Sequence, residues 1–242
     1  MKNIKVTLLH HTPLYIASDG ARTCWSSFDK SDTCKHTHYH AAQTEMCSSE
    51  CLDCGSLAID EIVIGPKDLA LINRVGNEFR HSSILEHISF NFFIDGISRA
   101  CLQELARHRI ASLSVKSSRY TLKELKDEPS LSIEEQYKKY IVFTGNATVD
   151  IQSIKGIQRL QFVIKEGISN DIAKYCMPEA YRTQLTWTIN LRSLQNFLSL
   201  RTDRTALPEI QHLAHLIYKT LPADAQSLVA HCVKEHNEKI SN

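Results

Sequence analysis

Two stretches that suit a β-strand far better than a helix constrain this chain more than any other feature. Ile88-Ser-Phe-Asn-Phe-Phe-Ile94 is dense in branched and aromatic residues and runs into Asp95-Gly96, a turn signal. In residues 181–190, Leu185, Trp187 and Ile189 alternate with threonines, the period of a strand buried on one face. Residues 4–10 partly alternate and read as an opening strand. Elsewhere the pattern is helical. Helices are expected from Pro13 through Trp25, over Leu69–Phe79 with Asp68 as cap, and from Ser98 as cap through Arg107 with Cys101, Leu102 and Leu105 inward. Further helices are expected over 134–143, 151–166, 194–200 capped by Ser193, 208–219 and 222–236. Strands and helices mix without regular βαβ alternation. The expected class is therefore α+β, a central mainly antiparallel or mixed sheet flanked by helices. A chain of 242 residues fits one domain, interrupted at about 30–66 where periodicity fades into Ser, Asp, Cys and His.

Lys plus Arg number 28 and Asp plus Glu 27, for a formal charge of +1. That balance argues against a protein held to nucleic acid by a general basic excess. With 43% hydrophobic and 23% charged residues the chain has a globular composition rather than a disordered one. No apolar run approaches the roughly 18–20 residues of a membrane span. The stretch Met1-Lys-Asn-Ile-Lys-Val-Thr-Leu-Leu-His10 lacks the apolar core of a signal peptide. A soluble cytoplasmic protein without a nucleic-acid or membrane partner is expected.

Arg107-His-Arg-Ile-Ala-Ser-Leu-Ser-Val-Lys-Ser-Ser-Arg-Tyr120 carries four fixed cations, a histidine and four serines. Guanidinium forks and hydroxyls together suit phosphate. The segment reads as a loop that Ile110, Leu113 and Val115 tie to the core. A second constellation is Asn190-Leu-Arg-Ser-Leu-Gln-Asn-Phe-Leu-Ser-Leu-Arg201. On a helix, Leu194, Phe197, Leu198 and Arg201 share the apolar face, so Arg201 must find an anion, a carbonyl or a ring. Asn190 and Arg192 stand at the strand-to-helix junction, where backbone amides favour anions. His81-Ser-Ser-Ile-Leu-Glu-His87, taken alone, is a capping segment with a surface histidine.

Together these three segments resemble the flavin-dependent thymidylate synthases. The carriers are Arg107-His108-Arg109 with Ser117 following after seven residues, then Ser118-Arg119-Tyr120. Ser83, Glu86 and His87 upstream and Asn190, Arg192, Asn196 and Arg201 downstream fit as well. The resemblance covers most of the chain outside 30–66. It implies FAD as cofactor, held by Ser83, Glu86, Arg107, His108, Arg109, Asn190, Arg192 and Asn196. It implies dUMP as substrate, bound by Glu104, Arg107, Ser117, Ser118, Arg119, Lys174 and Arg201. Arg201, Ser117 and His81 are the implied catalytic residues, Arg201 lying against the uracil and His81 near the flavin. The implied reaction is reductive methylation of dUMP to dTMP, with 5,10-methylenetetrahydrofolate as carbon donor and NADPH reducing FAD, in a homotetramer with sites between subunits. Val115 departs from the family's usual Glu or Gln, Ser114 from its Asn, and Cys24 from a serine near the flavin. The alternative class is a nucleotide- or RNA-binding module that uses the Arg/Ser segment without turnover. Near-neutral charge and Tyr120 as the segment's one aromatic count against it.

Within the 30–66 insertion, Cys51 and Cys54 have CxxC spacing. Cys47 with His36, His38 or His40 would complete four zinc ligands, though in no regular zinc-finger pattern. An insertion with no dedicated metal site fits the same residues.

Overall fold

The computed structural model describes residues 3–33, 62–128 and 137–234. Among the described residues the sheet has four strands, β1 (Lys5–His11), β2 (Ser89–Ser98), β3 (Ala111–Val115) and β4 (Arg182–Asn190), in the order β1-β2-β4-β3, each pairing antiparallel. The expected strands pair because their alternation matches. Phe90, Phe92 and Ile94 of β2 and Leu185, Trp187 and Ile189 of β4 are all buried, with Phe92 opposite Trp187. Each such side chain contributes roughly 1.5–3 kcal/mol by leaving water.

The α-helices among the described residues are α1 (Tyr15–Trp25), α2 (Pro66–Ile72), α3 (Arg99–Leu105), α4 (Ser118–Thr121), α5 (Lys123–Asp127), α6 (Ala147–Lys165), α7 (Asn170–Ala173), α8 (Leu191–Arg201), α9 (Pro208–Thr220) and α10 (Ala223–Val229). The main core gathers β1, β2, β4, α8 and α9. A second cluster, including Leu122, Leu125, Tyr140, Ile157, Leu160 and Tyr181, surrounds α6. Gly156 sits inside α6 because Pro178 lies so close that a Cβ would meet its ring carbons at 3.2–3.4 Å. Among the described residues no helix is long and apolar enough to cross a membrane.

Several expectations are corrected. Asp95-Gly96 does not end β2. The strand continues to Ser98 through a register shift between Asp95 and Ile97, with Gly96 at φ +89° and Asn3 O where its Cβ would stand. Local turn propensity gave way to continued pairing with β4, Ile97 opposite Thr183 and Ser98 opposite Arg182. Asp68 is no cap but the buried centre of an ion pair inside α2, and the backbone becomes π-helical over Asn73–Glu78 before reaching Phe79. Helix α3, capped by Ser98 Oγ on Cys101 N as expected, stops at Leu105, short of Arg107. The Arg/Ser segment is not a loop, since Ala111–Val115 pairs with β4. Ile110 is 72% exposed and Val115 38%, and they do not anchor it; Leu113 lies opposite Trp187. A helix over 134–143 is overturned in its described part, because the chain turns after Tyr137 and Ile141 bridges Tyr181. The last helix ends at Val229.

The stems of the 30–66 insertion are clasped. Arg22 Nε donates to Asp68 Oδ1 at 2.8 Å, and its remaining nitrogens reach Asp68 again and the carbonyls of Ser27 and Lys30. Ser31 and Thr33 donate to the other Asp68 oxygen, while Asp32 accepts from the amides of Lys67 and Asp68. Burial raises the Asp68 carboxyl's pKa, but hydrogen bonds from Ser31, Thr33 and Arg22, with the Arg22 charge, outweigh it and hold the pKa below the ordinary value.

Candidate active site

Two chain reversals build one cleft. At the first, α3 ends and hands over to β3, presenting Glu104, Arg107, His108 and Arg109. At the second, β4 runs straight into α8. Asn190 rather than Ser193 caps that helix, its Oδ1 accepting from Ser193 N at 2.8 Å. The strand ends one residue before the first helical turn, so the earlier side chain reaches the orphan amide first. Between these reversals lies a cleft of about 860 Å3, lined by Glu86, Arg107, His108, Arg109, Asn190, Arg192, Ser193, Asn196 and Arg201, with Ile110, Leu200 and Ala206 as apolar wall. That volume suits a large ligand. Ser193, Thr205 and Ala206 line it without having been expected there. Ser193 has the sequence signature of a cap, and Thr205 and Ala206 lie in the turn after α8 with no motif of their own.

Arg201 extends from the apolar face of α8, as the Leu194, Phe197, Leu198 spacing predicts, and it finds all three expected kinds of partner. Its Nε donates to His108 Nε2 at 3.0 Å, Nη1 to Glu104 Oε2 at 2.8 Å and Nη2 to the Glu104 carbonyl at 3.1 Å. The guanidinium is thus already paired with a carboxylate, yet two of its five N–H groups remain. Its side chain is 14% exposed, against 32% for Glu104. Arg107 shares the Glu104 carboxylate from one helical turn away, at 3.8 Å. Burial, then the charges of Arg201 and Arg107, push the His108 pKa down to about 4, against the opposing pull of Glu104. His108 is therefore neutral at ordinary pH.

Arg192 pairs with Glu86 at 2.5 Å across the cleft wall, both half-exposed. Glu86 and Ser83 belong to the 3-10 turn Ser82–His87. Ser83 and the preceding His81 are exposed and lie outside the cleft lining. The structure does not gather the remaining expected residues here either. Ser117, Ser118 and Arg119 stand beyond the far end of β3, five residues or roughly 15 Å of strand from Arg109. There α4 packs against α7, Arg119 meets Asp171 at 3.3 Å, and Lys174 follows directly on α7. Beside this second basic patch Arg99 Nε is buried without a hydrogen-bond partner among the described residues.

Comparison with known proteins identifies what this arrangement belongs to. The family model described as thymidylate synthase complementing protein matches residues 7–225. The flavin-dependent thymidylate synthase of Campylobacter jejuni is 46% identical over 237 residues, covering 97% of this chain and all of the relative. That of Wolinella succinogenes is 49% identical over 225 residues, covering 92% and 96%. The chain belongs to the flavin-dependent thymidylate synthase family. Its fold agrees with a Helicobacter pylori thymidylate synthase X crystal structure described as holding FAD and dUMP. The two are 44% identical with a TM-score of 0.78, over 96% of this chain and all of the other.

For a flavin-dependent thymidylate synthase, the division of the expected residues is the informative result. Glu86, Arg107, His108, Arg109, Asn190, Arg192, Asn196 and Arg201 share one cleft, with Glu104 beside Arg201. Ser117, Ser118, Arg119 and Lys174 form a separate patch. Cys47, Cys51 and Cys54, the candidate zinc ligands, lie outside the described residues. Among the described residues no cluster of three or more His, Cys, Asp or Glu side chains could hold a metal.

Proposed function

We propose that this chain catalyses the reductive methylation of dUMP to dTMP, with FAD as cofactor, 5,10-methylenetetrahydrofolate as carbon donor and NADPH as the source of reducing equivalents. The observation that carries the reading is the convergence of Arg107, Arg109, Arg192 and Arg201 on one 860 Å3 cleft with an apolar wall. A dinucleotide needs such a combination. Arg107, Arg109 and Arg192 match its phosphates, the amides of Asn190 and Asn196 match polar ring edges, and Ile110 and Leu200 match an aromatic face. These residues fit FAD, and the related Helicobacter pylori structures described with FAD and dUMP support the same assignment.

When bound, FAD supplies the redox chemistry. The chain supplies orientation and charge. Arg201 offers its two spare N–H groups to the uracil and stabilises negative charge that develops on the ring as C5 becomes nucleophilic. Glu104 and Arg107 face the nucleotide from the end of α3. Ser117, Ser118, Arg119 and Lys174 bind its phosphate and sugar. Because they lie away from Arg201 within one chain, they serve the cleft of a neighbouring subunit in a homotetramer, and His81 and Ser83 approach the flavin from the exposed 3-10 turn. With a net charge of only +1, the attraction for anionic substrates is local rather than global.

Purified protein is expected to be yellow, to bleach with NADPH in the absence of oxygen, and to form dTMP when given dUMP and methylenetetrahydrofolate. Colourless protein that gains no visible band on incubation with FAD would count against the assignment.

A further inference from the structure

A line of aromatic side chains leaves the sheet core and ends in the cleft. Phe92 packs on Trp187 with ring centroids 6.1 Å apart, Trp187 meets Phe197 edge-on at 5.0 Å, and Phe197 meets His108 edge-on at 5.0 Å. His108 is 8% exposed, and its Nε2 receives the Nε–H of Arg201 at 3.0 Å. An acceptor nitrogen carries no proton, so the ring is neutral with its proton on Nδ1. The charged groups facing it are Arg107 and Glu104 at the end of α3 and Arg201 on α8. Burial first, and then the two cations against the one carboxylate, keep the proton away.

We infer that His108 is a positioning residue, whose buried neutral imidazole fixes the plane of the Arg201 guanidinium while Glu104 holds its far end. This rests on the proposed role of Arg201 against the uracil of dUMP and deepens it. The phosphate-rich character of the Arg107-His108-Arg109 triplet points to anion binding for all three members. Yet a ring locked edge-on between Phe197 and Arg201 acts through the arginine. An unheld arginine side chain samples several rotamers, and each ligand contact must then order it again. Held at three donors by the buried His108 ring and by Glu104, Arg201 presents the same two N–H groups to every ligand.

A double-mutant cycle on the FAD-loaded protein tests this, with dUMP affinity by calorimetric titration and dTMP formation as separate readouts. His108→Leu is expected to weaken dUMP binding or lower kcat by about tenfold with the flavin absorbance retained, as for a lost hydrogen bond to a charged group. In an Arg201→Ala background the same change is expected to cost less than about twofold, since a residue acting through Arg201 has nothing left to position. His108→Gln, whose amide oxygen reaches the place of Nε2, should recover most of the loss, and His108→Lys, a charged donor, should recover none. Equal losses in both backgrounds, loss of flavin as the only effect, or equal behaviour of the Gln and Lys variants would overturn the inference. Should His108→Leu not fold, the Gln and Lys pair decides alone. Failure of the functional reading is separately visible, as an unmodified protein that binds no dUMP.

Discussion

Two arginine–carboxylate pairs, Arg22–Asp68 and Arg201–Glu104, use the same chemistry for opposite ends. Arg22 is 5% exposed, and its donors go to Asp68 and to the carbonyls of Ser27 and Lys30; Asp68 is fully buried and also accepts from Ser31 and Thr33. Four of the five Arg22 N–H groups are used, all of them within the fold, and the pair ties α1 to α2 and closes the stems of the insertion. Arg201 makes three bonds, keeps two donors and borders a cleft, and its partner Glu104 is a third exposed. A guanidinium nearly filled by partners inside the fold is scaffold, and one with two donors spare beside open volume is a binding group. Burial alone does not tell them apart.

The comparison breaks most visibly at Asp68. Asp68→Ala leaves Arg22 buried and unpaired, and urea unfolding should show a loss of about 3–5 kcal/mol. A loss below about 1 kcal/mol would mean that the clasp is not structural. Its pH dependence has a fixed sign. The folded pKa lies below the ordinary carboxylate value, so the contribution is full above about pH 4 and is lost as pH falls through the folded pKa. Asp68→Asn should therefore flatten the acid limb of the stability profile.

Arg201→Ala should do the reverse, leaving the melting temperature within a few degrees and the flavin band in place while lowering dTMP formation by about 100-fold or more. If the visible band disappears with the arginine, its partner is the flavin rather than the uracil. Arg107→Ala should weaken flavin and dUMP binding together, since Arg107 lines the cleft and shares Glu104, and a selective loss of one in separate titrations would reassign it.

A smaller effect belongs to His108. Its pKa falls from 6.5 in the unfolded chain to about 4 in the fold. Between those values the unfolded chain holds a proton that the folded one does not, so stability drops as pH falls across that window. His108→Gln should remove that slope from denaturation curves taken between pH 4 and 7. The smallest change is expected at the half-exposed Glu86–Arg192 pair. There Glu86→Gln should alter stability by no more than about 1 kcal/mol, and a larger shift would make that pair part of the scaffold too.

Where the legible signals failed, the competing force can be named. Asp95-Gly96 carries strong turn chemistry, but β4 offers further pairing to Ile97 and Ser98 that a turn would forfeit, so the glycine became a bulge. Ala111, Leu113 and Val115 alternate with Ser112 and Ser114, a strand period set among the segment's cations, and pairing with β4 reveals it. Asp68 looks like a helix cap from its neighbours alone, and its arginine lies 46 residues away. The site was more readable than these elements, since Arg201 announced itself by standing on an apolar helical face where a charge must be answered. What answered it was not readable, because Glu104 and His108 sit 97 and 93 residues earlier.

Side-chain periodicity and composition, being properties of neighbouring residues, determined on their own the α+β class, strands β2 and β4, helix α8 and the clustering of cations in two stretches. Tertiary structure alone decided which cations meet. It placed Arg107, Arg192 and Arg201 around one cleft and set Ser117, Ser118, Arg119 and Lys174 apart. The reason is geometric: a strand of about 15 Å separates groups that the chain places within a dozen residues, while antiparallel pairing of β4 with β3, Ala111 opposite Ile189, and with β2, Ser89 opposite Asn190, joins groups far apart in the chain.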